Sequence, residues 1–392
     1  MTADRFLRGL GFRSALQDEV ERVLAKARAG DPTLVLLREN IPLPATILHA
    51  DPLITYSGLT PAAPLGLAGA SAAALRATPG WFLLSPTWSV ETAKKARRLR
   101  DLAVLHRQGN PLHHLVFVCN TPEETVLLQH EGEAAFFYNK TANVREDVFR
   151  PVANIPADFE AIYTARLLPW KRHELSLDIA RCGFLFYRDD AIAGAAEAEQ
   201  AIVARHAEAA PRHVFVNKIG PDGRPAQLPP ASVNWHLNRA AVGLCLSESE
   251  GAMFASMEYL LSGLSIVSTP STGGRHIYFD EDYCLTVTPD PRTIAEAVQA
   301  LAARKIPRAH IHDQAVRRIT ADRERFLGLL NAILDASGHV PGFGPAWPFG
   351  KPILMQWLKP ADAIDRARRG HVDAFGLGDK YRRLWTRSTG GP

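Results

Sequence analysis

The sequence is poor in cysteine and has no long apolar run. Only four of its 392 residues are cysteines, and none of them forms a Cys-x-x-Cys pair or a Cys/His spacing. This scarcity argues against a disulfide framework or a zinc site and predicts a reducing compartment. No apolar run approaches the roughly 18–20 residues that a membrane-spanning helix needs. The first residues lack the basic region and apolar stretch of a secretory signal peptide, so we expect a cytoplasmic protein.

An excess of charge of one sign is also missing. Lys and Arg number 45 against 41 Asp and Glu, a formal net charge of +4. Averaged over the chain, this small excess does not argue for a nucleic-acid partner. Hydrophobic residues make up 46% and charged residues 22% of the chain, which is typical of globular proteins and excludes a wholly disordered one. Because 392 residues exceed the size at which a chain usually forms a single hydrophobic core, two domains are expected.

Short apolar runs alternate with helical patterns in the first 150 residues, which predicts a mostly parallel sheet. The predicted strands are Leu34–Leu37, Ala45–His49, Trp81–Leu84 and Leu115–Cys119, and the predicted helices are Val90–His106 and Glu123–His130. A polar segment that ends at Pro151 marks the expected domain boundary. We therefore expect an N-terminal domain over 1–151, a second domain over 152–338 and a basic tail over 339–392 that packs back across both.

The second half has a cleaner alternation of strands and helices with short loops. The predicted strands are Phe159–Arg166, Gly183–Tyr187, His213–Ile219, Val242–Leu246, Ser265–Ser268 and Tyr283–Val287. The predicted helices are His173–Arg181, Ala191–His206, Ser232–Arg239, Phe254–Leu261 and Arg292–Ala303, followed by a long helical region over Ile311–Ser337. This pattern predicts a doubly wound, Rossmann-like domain.

A polar turn between a predicted strand and a predicted helix carries the first candidate site. Glu250 and Gly251 lie in the turn, and Glu258 follows eight residues after Glu250. The amides at the helix start would face an anion with the favourable sign of the helix dipole; they belong to Gly251, Ala252, Met253 and Phe254. Glu250 would accept hydrogen bonds from sugar hydroxyls, and Glu258 from both hydroxyls of a ribose. The turn therefore predicts a site for a nucleotide sugar.

Two cations flank a proline turn about 80 residues upstream. Arg166 ends a predicted strand, and Lys171 directly precedes the predicted helix His173–Arg181. Arginine forms a fork to phosphate oxygens, whereas lysine supplies a point charge. Because a cation at a helix start opposes the helix dipole, the position of Lys171 favours a function over a surface role. Together the two cations would neutralise a diphosphate leaving group without a metal.

These elements, with Gly273-Gly274 after the next predicted strand, resemble the nucleotide-sugar domain of retaining GT-B glycosyltransferases of the family-4 type (glycosyl transferases group 1). The resemblance covers about Phe159–Ala303 and, more weakly, Asn120–Pro151. It implies an α/β protein with two doubly wound, Rossmann-like domains facing a cleft. It also implies a hexosyltransferase that moves a sugar from a nucleoside-diphosphate sugar to an acceptor hydroxyl with retention of configuration, without a metal or cofactor.

The resemblance also implies roles for the matching residues. Arg166 and Lys171 would bind the diphosphate, Glu250 the donor sugar, Glu258 the ribose and the amides of Gly251–Phe254 the phosphates. Where the family commonly has Gly-Phe-Gly after the first glutamate, this chain has Gly251-Ala-Met-Phe254, which predicts a differently shaped sugar pocket. No glycine-rich loop follows the first predicted strand, so the acceptor side is not identified.

Other interpretations stay open from the sequence. The same phosphate-binding elements suit a GT-B epimerase or phosphorylase, or a sugar-nucleotide binding protein without catalysis. His113 or His114 would be an active-site histidine of the N-terminal domain or, as we favour, a structural residue. Asp280-Glu-Asp282 imitates a metal motif of another glycosyltransferase fold, but its loop position favours a solvated turn. The basic helix face Lys94–Arg100 suits plain solvent exposure, a polyanionic acceptor, or an anionic surface at the inner face of a membrane.

Overall fold

A computed structural model describes residues 1–38, 41–190, 192–349, 357–370 and 372. Contacts divide this part of the chain into two compact units. The first comprises Met1–Asn143 together with the described residues from Thr320 onward, and the second comprises Val144–Ile319. Each unit contains a six-stranded sheet, and the predicted α/β class with two Rossmann-like domains is confirmed. Every helix within the described ranges is too short or too polar to cross a membrane.

The sheet of the first unit follows the order of the chain. Its strands are β1 Leu43–Ala50, β2 Leu53–Leu59, β3 Gly80–Pro86, β4 His113–Cys119, β5 Ala135–Phe137 and β12 Trp357–Leu358. They lie in the order β12-β1-β2-β3-β4-β5. Strands β2 to β5 are parallel, whereas β1 is antiparallel to both of its neighbours. Since parallel crossovers are right-handed, strands added in chain order place their connecting helices on one face of the sheet.

Helices cover both faces of this first sheet. They are α1 Ala3–Gly9, α2 Gln17–Arg28, α3 Gly66–Ser71, α4 Ala93–Gly109, α5 Pro122–His130, α11 Pro360–Arg368 and the second half of α10 Arg308–Ala336. On one face, Phe82 and Phe117 share a buried core with Leu99 and Leu102 of α4. On the other face, Trp81 donates its indole N–H to Ser337 Oγ at 2.9 Å, at the end of α10. The long helix α10 therefore packs on the face of the sheet that the connecting helices leave uncovered.

The sheet of the second unit is wholly parallel. The order in which its strands are added reverses at the centre of the sheet. Its strands are β6 Phe159–Thr164, β7 Cys182–Leu185, β8 Val214–Phe215, β9 Ala240–Cys245, β10 Ser265–Ser268 and β11 Cys284–Thr286. Its helices are α6 Ala195–Ala209, α7 Pro230–Asn238, α8 Phe254–Leu261 and α9 Pro291–Arg304. The strand order is β11-β10-β9-β6-β7-β8, so the reversal lies between β6 and β9. A ligand crevice opens at the carboxyl ends of the strands at such a reversal.

Two predicted elements of secondary structure are wrong, and one observed strand was not predicted. The predicted strand Leu34–Leu37 is replaced by a 3-10 turn over Pro32–Leu34, which Asp31 caps with its carboxylate. The pattern missed β2, where apolar and hydroxyl side chains mix without a clear period. The predicted helix His173–Arg181 is absent, because Arg172 adopts a left-handed φ of 53° between two 3-10 turns. The helix-dipole argument for Lys171 therefore does not hold.

Both units contain the same connection from a helix to the next strand. The sequence is His-x4-Pro-x-His in each, from His106 to His113 and from His206 to His213. Helices α4 and α6 end with nearly the same backbone geometry, φ −141° and ψ 69° in one and φ −144° and ψ 67° in the other. In each unit the two imidazoles are hydrogen-bonded, at 3.0 Å and 2.9 Å respectively. The two units therefore share the same local structure at this connection between a helix and the next strand.

This geometry gives His113 a structural position. Its second ring nitrogen lies 2.9 Å from the Leu75 carbonyl oxygen, and its side chain is buried at the amino end of β4. The neighbouring His114 packs on Trp81, with ring centroids 4.4 Å apart. Both histidines therefore lie at the opposite edge of the sheet from the carboxyl ends of its strands, where α/β sheets bind ligands.

The buried imidazoles predict a loss of stability in acid. Burial lowers the pKa of His106 to about 3 and that of His206 to about 4, against about 6.5 in an unfolded chain. The neutral rings therefore contribute stability that is fully present above pH 6.5 and is lost as the pH falls toward 4. Each such histidine steepens the fall by up to ~1.4 kcal/mol per pH unit. Urea unfolding between pH 7.5 and pH 5 measures this slope.

Two variants assign the slope. His106→Gln should make the protein less stable at pH 7.5 but reduce the further loss between pH 6.5 and pH 5. His339→Gln is the control for the substitution itself, because this side chain is 39% exposed. A slope that is identical in wild type and His106→Gln would contradict the assignment to the histidine pair.

Candidate functional site

Three loops of the second unit meet where its strand order reverses. The first loop (165–172) follows β6, the second (246–253) follows β9, and the third (269–274) follows β10. Because β6, β9 and β10 are neighbouring parallel strands, their carboxyl ends lie at one edge of the sheet. These loops carry most of the residues that the sequence singled out.

A largely buried ion pair joins the first and second loops. The Lys171 ammonium donates a hydrogen bond to Glu250 Oε1, and their side chains are only 10% and 14% exposed. Ser247 donates its hydroxyl to the same oxygen at 2.5 Å. The backbone carbonyl of Lys171 accepts a 2.8 Å hydrogen bond from the Tyr163 hydroxyl, which positions the turn. The structure thus brings together two predicted residues that are 79 positions apart.

Arg166 lies in the first loop but pairs elsewhere. Its guanidinium donates to Asp189 Oδ2 at 2.9 Å, and its side chain is 27% exposed. Asp189 follows β7, the neighbour of β6 on the side away from β9. The two predicted cations therefore belong to different ion pairs, each with a carboxylate that follows another strand.

Helix α8 begins at Phe254, as the sequence predicted. The amides of Gly251, Ala252, Met253 and Phe254 precede the first intrahelical hydrogen bond, so the helix ladder itself does not use them. Glu258 lies one turn into the helix and is half-buried, on the same side of α8 as Phe254. Glu250 lies four residues before this start, so one short segment contains a carboxylate, a helix amino terminus and a second carboxylate.

Gly273 and Gly274 hold the third loop against the second. Gly273 has a φ of +93°, and a Cβ placed on it would lie 1.7 Å from the Glu250 carbonyl oxygen. The Glu250 amide donates to Thr272 O at 3.0 Å, and the Gly274 amide donates to Gly251 O at 3.0 Å. The glycines therefore fix the backbone on both sides of the Glu250 carboxylate.

Two arginines that the sequence did not assign tie the loops together. Arg172 of the first loop donates to Leu246 O at 2.7 Å and to Thr269 Oγ1 at 2.8 Å. Arg275 donates to the carbonyl and hydroxyl oxygens of Ser247 at 2.6 Å and 3.1 Å, and to Thr269 O. Arg275 is only 2% exposed, and this burial lowers its pKa. The position of Arg275 directly after Gly273-Gly274 was the single sequence signal for this role.

The acidic motif at Asp280 lies in a surface turn that hydrogen bonds hold in place. Asp280 accepts a 2.5 Å hydrogen bond from Arg318 and a 3.2 Å hydrogen bond from the Asp282 amide. Among the residues with a described placement, no group of three or more His, Cys, Asp or Glu side chains is arranged to hold a metal ion.

Comparison with known proteins identifies the fold. No family model matches the chain, and no curated protein matches it in sequence. Sucrose-phosphate synthase from Thermosynechococcus elongatus has a similar structure, with a TM-score of 0.50 and 16% identity over 65% of this chain and 68% of that one. This likeness shows the GT-B fold.

Two further solved structures have TM-scores of 0.48. An α,α-trehalose-phosphate synthase (UDP-forming) from Burkholderia vietnamiensis is 11% identical over 72% of this chain and 73% of that one. HepE from Anabaena, solved in complex with UDP, is 11% identical over 68% of this chain and 76% of that one.

The close approach at Gly273 predicts a large effect of a single methyl group. Gly273→Ala should destabilise the second unit, because the left-handed φ and the clash with the Glu250 carbonyl act together. Gly223→Ala is the matched control, since Gly223 has a φ of +70° but nothing within 4 Å of the added Cβ. We expect the first variant to lose at least ~2 kcal/mol more unfolding free energy than the second in urea titrations. Equal losses would show that the loops do not constrain each other at this point.

Proposed function

We propose that this protein is a glycosyltransferase that moves a hexosyl group from a nucleoside-diphosphate sugar to an acceptor hydroxyl, with retention of configuration and without a metal. The Lys171–Glu250 ion pair carries the proposal, because it brings a cation and a carboxylate together where the strand order of the second unit reverses. The fold supports the proposal, since the structurally similar sucrose-phosphate synthase is named for forming a sugar phosphate.

The diphosphate would be met by groups of opposite charge. Lys171 uses one of its three donors on Glu250, which leaves two for phosphate oxygens. Arg166 donates to Asp189 from one of its terminal nitrogens, and the amides of Gly251–Phe254 would contact the phosphates from the start of α8. When the bond to the sugar breaks, negative charge moves onto the diphosphate. Donors that are already in place stabilise this charge more in the transition state than in the bound donor.

The two glutamates would hold the two sugars of the donor. Lys171 and Ser247 both donate to Oε1 of Glu250, so its Oε2 atom keeps its lone pairs for hydroxyls of the transferred sugar. Glu258 lies one turn into α8, and we assign it to the ribose of the nucleotide. The ion pair keeps Glu250 oriented while the sugar ring flattens.

Retention follows if the acceptor attacks the same face of the sugar from which the diphosphate leaves. Glu250 is held in an ion pair, which suits hydrogen bonding to hydroxyls better than covalent attack on the anomeric carbon. In the proposed step, the bond between the anomeric carbon and the diphosphate oxygen breaks. The acceptor oxygen then bonds to that carbon, and its proton passes to the departing phosphate.

A donor screen tests the proposal directly. Thermal shift with a panel of nucleoside-diphosphate hexoses identifies the donor, since a ligand at 100 times its Kd adds ~2.7 kcal/mol. Release of nucleoside diphosphate from that donor in the presence of EDTA then measures the reaction, and NMR of the product gives its anomeric configuration. Binding without release would favour a non-catalytic binding protein. Release that needs inorganic phosphate would favour a phosphorylase, and conversion of the sugar without transfer would favour an epimerase.

Lys171 should matter more for turnover than for donor binding. Lys171→Ala removes one charge-assisted contact to the leaving group and should lower kcat about 10²–10³-fold, with a smaller change in donor KM. Lys218→Ala, at an exposed position of the same unit, is the control and should leave both constants unchanged. Wild-type kcat in a folded Lys171→Ala protein would remove Lys171 from the proposed mechanism.

The two glutamates should affect different kinetic constants. Glu258→Gln should mainly raise the donor KM, because the ribose is remote from the breaking bond and is held alike in the ground and transition states. Glu250→Gln removes the charge that orients the transferred sugar and pairs with Lys171, so kcat should fall more than KM rises. Steady-state kinetics with one donor and acceptor pair measures both. Equal changes in the same constant would reject the separate roles.

A further inference from the structure

A second cavity, of about 720 Å³, lies in the first unit. It opens between α2, α4, the loop that follows Phe12 and the segment that follows α5. Its lining contains five arginines and three glutamates. All of the lining residues belong to the described part of the chain, and none of them is a lysine. The arginines are Arg13, Arg22, Arg97, Arg100 and Arg107, and the glutamates are Glu19, Glu131 and Glu133. The walls of the cavity therefore carry an excess of two positive charges.

Helix α4 supplies three of the five guanidinium groups from one face. Arg97, Arg100 and Arg107 are separated by three and seven residues, which brings them to one side of a helix. Arg107 is held rigidly, because its two terminal nitrogens form a fork to Glu133 at 2.8 Å and 2.6 Å. Arg100 is buried and donates to Asp101 Oδ1 at 3.2 Å. The guanidinium groups are thus pre-positioned by their own ion pairs.

One anion is already bound at this place by the protein itself. The Glu19 carboxylate accepts hydrogen bonds from Arg100 and, at 3.1 Å, from the Leu16 amide at the start of α2. Its side chain is 39% exposed, so it lies at the rim of the cavity. Arg97, whose side chain is 60% exposed, reaches Glu131 at 3.3 Å across the same opening. A guanidinium and a helix amino terminus that converge on one carboxylate define an anion position.

We propose that this cavity binds a small molecule that carries two or more phosphate groups, with Arg97 and Arg100 as its principal contacts and Glu19 as an internal competitor. Planar guanidinium forks match phosphate oxygens in pairs, which explains the use of arginine alone. The volume lies in the range of small-molecule sites. The proposal does not depend on the glycosyltransferase reaction, since all of its residues belong to the first unit.

Substitution of Glu19 distinguishes two interpretations of these residues, a binding cavity and a purely structural network of ion pairs. In a structural network, Glu19→Gln only removes an ion pair. In a binding cavity, the same change removes the competitor, so that phosphate binding becomes tighter. Glutamine also preserves the cap of α2, because it can accept the Leu16 amide as glutamate does. A gain of affinity on removing a charge is not expected from a structural role.

Isothermal titration of the full chain with tripolyphosphate at low ionic strength tests the proposal. Arg97→Gln should weaken binding about tenfold, the effect of losing one charge-assisted contact. Glu19→Gln should tighten binding several-fold. Arg98→Gln is the matched control, because Arg98 is an exposed neighbour on α4 that does not line the cavity. It should leave the affinity within twofold of wild type.

Several outcomes would overturn the proposal. One is the absence of tripolyphosphate binding at low salt, and another is an equal loss in Arg98→Gln and Arg97→Gln, which would indicate unspecific surface charge. Binding that is lost in Lys171→Ala but kept in Arg97→Gln would belong to the second unit. Vesicles containing phosphatidylglycerol form a separate arm. Vesicle binding that is lost in Lys94→Gln, without any tripolyphosphate binding, would identify a membrane contact instead of a cavity ligand.

Discussion

The largely buried ion pair between Lys171 and Glu250 is the interaction on which the candidate site depends. It joins the loops after β6 and β9, where the strand order of the second unit reverses. Burial of two charges costs desolvation free energy that their attraction need not recover, so such a pair is weak evidence for a stabilising role. Its surroundings instead orient both groups, because Ser247 donates to the carboxylate and Tyr163 donates to the backbone carbonyl of the lysine. The arrangement suits binding of a charged, hydroxyl-rich ligand better than it suits stability.

The loops around this pair are held by backbone contacts and by arginines. Gly273 allows the third loop to lie against the Glu250 backbone, where any Cβ would clash. Arg172 and Arg275 both reach Thr269, so one threonine links the first and third loops. These arginines donate mainly to uncharged oxygens of the chain, which leaves the ion pair as the charged centre. Separate residues therefore provide the positioning and the proposed chemistry.

The two units use related local structure in different ways. The His-x4-Pro-x-His connection has the same backbone geometry in both, although one sheet follows chain order and the other reverses. In the second unit the reversal opens a crevice at the carboxyl ends of the strands. In the first unit the concentration of charge lies instead beside α2 and α4, where the arginine-lined cavity opens. The two proposed anion sites therefore lie at different places in the two units.

The sequence by itself determined the α/β class and the position of the main motif. Helix α8 and strand β10 have the predicted bounds, Phe254–Leu261 and Ser265–Ser268. Their bounds are set by the spacing of hydrophobic residues and by glycines that end an element, and both signals act over a few residues. Only the tertiary structure decided that Lys171 pairs with Glu250 and that Arg166 pairs with Asp189. It also replaced the predicted helix after Arg172 by 3-10 turns, since the arginine side chain bonds to loops that follow two other strands. These contacts join residues 23 to 97 positions apart, and no local pattern records which of several charged side chains will meet.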